Sequence, residues 1–413
     1  MASRLMKHQR FGGRAVDAGG NERVGRRTRN SSIELLRIIA MFMILCHHFV
    51  IHNAYNPKNL PMGWRRIFYQ LFLEGGGKVG VVIFFTISSW FFLDKEQQIK
   101  GNLRRIWLME REMLFYSVGL ALLFFAWRPI DFGRKTLLKS IVPLNSGLWW
   151  YASAYAAFLV FLPYLMKGLK ALTREQHLAL AVSSLVLWGI PGFVPGMPAL
   201  SPSIFSVLFF VYLFVLVSAY KWYLKPLTVR QDWLLIAVGF CFFLLYTFAS
   251  VMLYYRGKNK DIFITGDWKI PVLMVGFGMF LLFDRWKIHS RIINRTAKSA
   301  FAVYLITDYP LTRNLLWKHW FHLDTLNQQP FPILKVYGIL IAIYAVCTAI
   351  DFVRQGLFAL TVDRYPGHWF ELLWNRVENW LSTRWPGYLA EPSVDGNAPA
   401  SFSPRHAPSS REA

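Results

Sequence analysis

The sequence predicts an all-α fold: a polytopic bundle of about ten transmembrane helices with both termini cytoplasmic. Three observations lead there. Hydrophobic residues make up 54% of the 413-residue chain and charged residues 17%, a balance too apolar for a soluble globular protein. Apolar stretches recur at the length of about 18 residues or more that a helix needs to cross a hydrocarbon core. With the N-terminus inside, the segments that fall inside hold 30 of the 46 Lys and Arg and the outside segments 13, the asymmetry of the positive-inside rule for an even number of spans.

The elements follow in chain order. Residues 1–30, with paired glycines and scattered arginines, read as a disordered basic cytoplasmic tail. The apolar run after them is too long for a signal-peptide core and lacks an A-x-A cleavage site, so it is kept as the first span. The transmembrane domain covers 31–355, with spans near 33–53, 79–93, 113–127, 149–166, 178–195, 203–220, 232–253, 270–284, 299–316 and 333–352. Residues 356–386 form a cytoplasmic interfacial segment. Within it, "PGHWFELLWNRVENWLSTRW" (366–385) sets Trp369, Phe370, Leu373, Trp374, Val377, Trp380 and Leu381 at helical spacing among charges, the pattern of an amphipathic helix lying in a membrane interface. Residues 387–413, rich in Pro, Ser and Ala, read as a second disordered tail.

The net charge of +23 is accounted for by topology and contact with anionic lipid, which makes the bilayer a partner and excludes nucleic acid. Cys46, Cys241 and Cys347 all fall inside predicted spans, far apart in sequence. They form no disulfide framework or CxxC motif and read as packing residues. The run "EGGGKVG", Glu74 to Gly80, lacks the Lys-Ser/Thr ending of a phosphate loop. It is expected as a flexible outside connection.

The first span, "SSIELLRIIAMFMILCHHFVIHN" (31–53), carries a glutamate, an arginine and three histidines. A helix turns about 100° per residue, so eleven residues return to within about 20° of the start after rising about 16.5 Å. Arg37 and His48 therefore share one face, whereas His47 points about 80° away from Arg37. Glu34 lies one turn before Arg37, where the two can pair. Charge buried in a membrane is costly and faces the bundle interior or a watery cavity. On spacing alone, an interfacial ion pair plus a satisfied core histidine accounts for these residues equally well. His48 and His52, four apart, share a face suited to metal ligation. No acid or cysteine of matching spacing accompanies them, and no metal is expected.

In this context "IELLRIIAMFMILCHH" resembles the opening span of the acyltransferase-3 family, integral membrane enzymes that O-acylate surface and exported glycans. The family's arginine, ten residues, then histidine, with an acid three residues before the arginine, maps onto Arg37, His48 and Glu34. "GVVIFFTISSWFF" (80–92) is similar to a Gly-Val-x-x-Phe-Phe-x-x-Ser-Gly stretch, matching Gly80, Phe84, Phe85 and Ser88, with Ser89 in place of the final glycine. "NLRRIWLMEREMLFY" (102–116) resembles the family's basic loop, although the Arg-x-x-Arg spacing is not kept across Arg104, Arg105 and Arg111. "GLWWYASAYAAFLVFLPYL" (147–165) looks like its aromatic entry to the fourth span, matching Trp150, Tyr151 and Tyr155. "FAVYLITDYPLTRNLLW" (301–317) is similar to a late Tyr-Leu-Ile-His element containing Tyr304, with Thr307 where histidine is common. The resemblance covers about residues 31–355.

The resemblance implies transfer of an acyl group, with acetyl as the first choice, from acyl-CoA to a hydroxyl of a surface glycan or lipid-linked sugar. The setting it implies is a multi-pass protein of a cell membrane, the plasma membrane of a bacterium. Acyl-CoA is the donor substrate and no tightly bound cofactor is expected. His48, which titrates near neutral pH, would be the general base, with a transient acyl-histidine as the other route. Arg37 would hold phosphate or orient the site, and Glu34 would orient Arg37. Arg104, Arg105 and Arg111 are candidates for the coenzyme's phosphates, with ordinary positive-inside charge as the alternative. Ser88, Trp150 and Tyr304 are candidates for the substrate cavity. Helix packing is the other account of Ser88, and an interfacial anchor that of Trp150. The rival functions are a transporter or flippase of glycan precursors, whose polar stripe would form a path, and a structural subunit.

Overall fold

The structure is a computed structural model that describes residues 30–127, 133–193, 206–258, 262–263 and 266–385. Both terminal tails read from the sequence therefore lie outside the described residues, apart from Asn30. Among the described residues the chain is all helical with no strand. Six helices are long and apolar enough to cross a membrane: α1 (Ser31–Ile51), α2 (Trp64–Phe92), α4 (Trp150–Ala171), α5 (Arg174–Phe193), α7 (Val229–Tyr255) and α11 (Pro332–Leu360). Between them lie α3 (Ile99–Trp127), α6 (Ser206–Tyr223), α8 (Ile270–Arg285), α9 (Ala300–Thr307) and α10 (Pro310–Asn314).

Helix α1 is the axis of the packing. Its first turn is tied to the chain after α8. Asn30 accepts from the Ser32 backbone amide as the N-cap and donates to the Trp286 carbonyl, and the Ser32 hydroxyl reaches the Phe283 and Trp286 carbonyls at 2.6 and 2.7 Å. Short polar side chains thus satisfy the amides and carbonyls that helix ends leave open, which matters most where water is scarce.

The main neighbour of α1 is α2, and glycine sets how close they come. A Cβ on Gly80 would lie 2.6 Å from the Ala40 carbonyl oxygen, and one on Gly77 would lie 2.1 Å from Cβ of His47. The Glu74–Gly80 run, expected as an outside connection, is instead helical within α2. Glycine breaks helices in water because its backbone gains freedom when unfolded. Between membrane helices its missing side chain lets two backbones approach, and packing holds the helix. The same device continues outward: Gly276 of α8 faces Val82, and Gly239 of α7 faces the Pro271 carbonyl.

Ion pairs tie helix ends together. Lys221 bonds Asp94 at 2.7 Å and Arg285 bonds the fully buried Asp232 at 2.7 Å, while within α11 Arg354 bonds Asp351 at 2.6 Å. Asp351 also accepts from the Tyr116 hydroxyl at 2.7 Å, which joins α3 to α11.

The predicted span at 299–316 is broken. Helix α9 ends at Thr307, Tyr309 is extended (φ −60°, ψ 130°), and α10 starts at Pro310 before loosening into a wide turn over Leu315–Trp320. Proline lacks the amide that would continue α9 and disfavours helical backbone in the residue before it. The break exposes the side of the chain that carries Asp308.

Residues from Tyr365 onward form a separate unit. Its described part is one helix, α12 (His368–Arg384), with Trp369, Leu373, Val377 and Trp380 exposed along one face.

Candidate active site

The C-terminal third of α1 forms one wall of a cavity of about 260 Å³. His47, His48 and His52 reach it from α1, Lys78 and Phe84 from α2, Trp150 and Tyr151 from α4, Phe301 and Tyr304 from α9, and Asp308 and Arg313 from the break and α10. Its walls are mostly aromatic and aliphatic, with charge confined to a few convergent groups, the usual make-up of a small-molecule site.

Its polar centre is built around Asp308. One oxygen, Oδ1, lies 3.5 Å from Nε2 of His52 and 4.0 Å from Nδ1 of His48, and it accepts from Arg313 at 3.4 Å. His48 is buried, and its Nδ1 has no hydrogen-bond partner. The imidazole rings of His48 and His52 are 5.4 Å apart, and Tyr304 lies 6.0 Å from His48 on the other side. The hydroxyls of Tyr151 and Tyr304 are likewise buried without a partner. Buried polar atoms left open around a cavity are acceptors and donors for whatever enters it.

The neighbouring histidines are held differently. Nδ1 of His47 lies 2.8 Å from the Glu74 carbonyl, and its Cβ is pressed against Gly77. Helix α2 therefore fixes His47, whereas His48 keeps both ring nitrogens for the cavity.

A second cavity of about 140 Å³ lies beside the first, lined by Ser88, Met109, Ala152 and Tyr155, and the two share Phe84, Tyr151 and Phe301. Ser88 and Tyr155 both line this second space. The sequence-derived cavity residues thus divide, Trp150 and Tyr304 beside His48 and Ser88 in the second space.

A model of the acyltransferase-3 family, described as an acyltransferase domain, matches residues 30–352. The chain belongs to the acyltransferase-3 family. It is a membrane acyltransferase, with several apolar helices that suit a multi-pass protein. No curated protein and no solved structure matches it.

In this acyltransferase the Glu34–Arg37 pair, 2.6 Å apart, sits toward the N-terminal end of α1 and lines neither cavity. Arg37 is close enough to Tyr151 and Tyr155 for its charge to act on both. The three arginines near the start of α3 line neither cavity as well. Arg105 bonds Gln97 at 2.9 Å, bonds Asn102, and stacks over Phe92, whereas Arg111 is paired with Asp363 at 2.7 Å.

His48, His52 and Asp308 form a possible metal-ligating group, with ligand atoms all within 4.8 Å of one another. Sequence reasoning weighed the two histidines and found no acid to join them, because Asp308 lies 256 positions from His52. Arg313 occupies the same carboxylate oxygen and Lys78 lines the same space. Two cations oppose a third in a low-dielectric cavity. The arrangement suits a carboxylate that orients imidazoles better than one that binds a metal.

Asp308, Arg313 and Lys78 escaped the sequence reading. A signal was present: each is an ionisable residue within or beside a predicted span, which is by default a candidate functional position.

Proposed function

We propose that this acyltransferase transfers an acyl group, with acetyl as the first candidate, from acyl-CoA to a hydroxyl of a surface or exported glycan, with His48 as general base. The observation that carries the proposal is the buried, unpartnered His48 ring facing a cavity opposite Asp308. In this reading Nε2 takes the acceptor's proton as its oxygen attacks the thioester carbonyl. A C–O bond forms, the C–S bond breaks, and the proton passes from the imidazolium to the departing CoA thiolate. Asp308, within 4.0 Å of Nδ1, offsets the positive charge that the ring carries between those steps. The unpartnered Tyr304 hydroxyl is placed to donate to the carbonyl oxygen as it becomes negative.

The proposed setting is ten spans in a bacterial plasma membrane with both termini cytoplasmic, which follows the uneven distribution of Lys and Arg. The Glu34–Arg37 end of α1 then faces the cytoplasm and acyl-CoA, with Arg104, Arg105 and Arg111 on the same side. The His48 end faces the acceptor.

The test is acylation of surface glycans in cells expressing His48→Ala at wild-type protein level. Loss of O-linked acyl groups with unchanged glycan export supports the proposal, and unchanged acylation overturns it. Loss of export would favour a flippase, a reading kept open by the polar groups lining two adjoining cavities.

A further inference from the structure

The charges around the His48 cavity do not balance. Among the described residues Asp308 is the only carboxylate that lines it, and Arg313 and His52 already contact that carboxylate. Lys78 also lines it, half-buried, and makes no ion pair or hydrogen bond with any described residue. Asp267, a carboxylate that feels the Lys78 charge, does not come within 4 Å of it. The position of Lys78 is not loose, because Gly77 presses α2 onto His47 and so holds the next residue beside the cavity. An ammonium fixed in an apolar wall without a counter-ion is costly unless an anion completes the site.

We infer that the acceptor of this acyltransferase carries an anionic group, a carboxylate or phosphate, which Lys78 and Arg313 bind while the neighbouring hydroxyl is presented to His48. The inference rests on the acyl-transfer reading for the hydroxyl but not for the anion site. The two cations come from α2 and from α10, on separate elements of the cavity wall. A sugar ring between them would carry its charge at one side and its reacting hydroxyl at another, which fixes its orientation. In the proposed topology the cavity lies toward the acceptor side, away from the entry of coenzyme phosphates.

The test uses the purified full-length protein with acetyl-CoA and three oligosaccharides that differ only in the terminal residue: glucuronate, glucose and glucose 6-phosphate. An anionic acceptor is expected to exceed the neutral one in kcat/KM by about tenfold or more, and the better of the two anionic sugars identifies the group. Lys78→Gln is expected to remove most of that preference through KM, and Lys78→Arg is expected to retain it. Equal kcat/KM for charged and neutral acceptors in the wild type overturns the inference whether or not the variants fold. Donor-free binding, read as a thermal shift of the wild-type protein, separates the two readings. Selective binding of an anionic sugar without acylation of any sugar keeps the anion site and removes acyl transfer. Acylation of all three sugars alike, with no selective binding, does the reverse.

Discussion

At the scale of single residues, the site depends on a pairing that spans most of the chain. His48 and Asp308 are 260 positions apart, and the break before Pro310 brings them to 4.0 Å. Asp308→Asn keeps the shape of the side chain and removes its charge. If the carboxylate offsets the charge on His48 during transfer, this variant should lose about 10²-fold or more in kcat while expressing and extracting as the wild type does. A kcat within a factor of two of wild type would assign Asp308 to helix structure alone. The Arg37–x10–His48 alignment was legible in the sequence because one helix carries both residues and the helical repeat fixes their faces. Asp308 was not legible as a partner, because no periodicity connects residues on separate helices. Its residue type was still a signal, and the sequence reading used that signal in the first span but not in the ninth.

At the scale of elements, the contact between α1 and α2 decides where the histidines sit. The helices meet backbone to side chain at Gly77 and Gly80, and a Cβ at Gly80 would face the Ala40 carbonyl at 2.6 Å, an atom that cannot move without shifting α1. Gly80→Ala should therefore destabilise the fold by about 1–3 kcal/mol. Gly338→Ala, in the interior of α11 with nothing within 4 Å of its Cβ, should be neutral or stabilising by up to about 1 kcal/mol. Thermal unfolding of the two variants in one detergent checks both, and equal shifts would mean that α1 and α2 are not held by close approach. This contrast also explains why the Glu74–Gly80 run was misread. Glycine density signals a loop where water solvates the backbone, but the same residues are a packing surface between apolar helices. Long uniform helices such as α1, α7 and α11 were read correctly as apolar spans, because hydropathy depends only on local composition. The break between α9 and α10 was visible as Asp308–Tyr309–Pro310, but its use in building a site depends on tertiary neighbours.

At the scale of the whole molecule, three of the ion pairs lie on residues that do not line the His48 cavity. Lys221 with Asp94, Arg285 with Asp232, and Arg354 with Asp351 all involve segments that the sequence assigns to the inside or its edge. The His48 cavity lies at the far end of α1. If the positive-inside distribution sets the orientation, donor and acceptor reach the enzyme from different sides of the membrane. Single cysteines in a background without Cys46, Cys241 and Cys347 test this. Asn59→Cys, exposed between α1 and α2, should react with a membrane-impermeant maleimide in intact cells. Lys225→Cys, exposed between α6 and α7, should react only after permeabilisation. The reverse pattern would turn the bundle over and place the His48 cavity on the cytoplasmic side. The acceptor would then have to be modified before export, and Lys78 and Arg313 would face coenzyme phosphates rather than a glycan anion. Equal labelling of both positions in intact cells would mean that an even number of crossings separates them, which contradicts the five crossings, α2 to α6, that the ten-span arrangement places there.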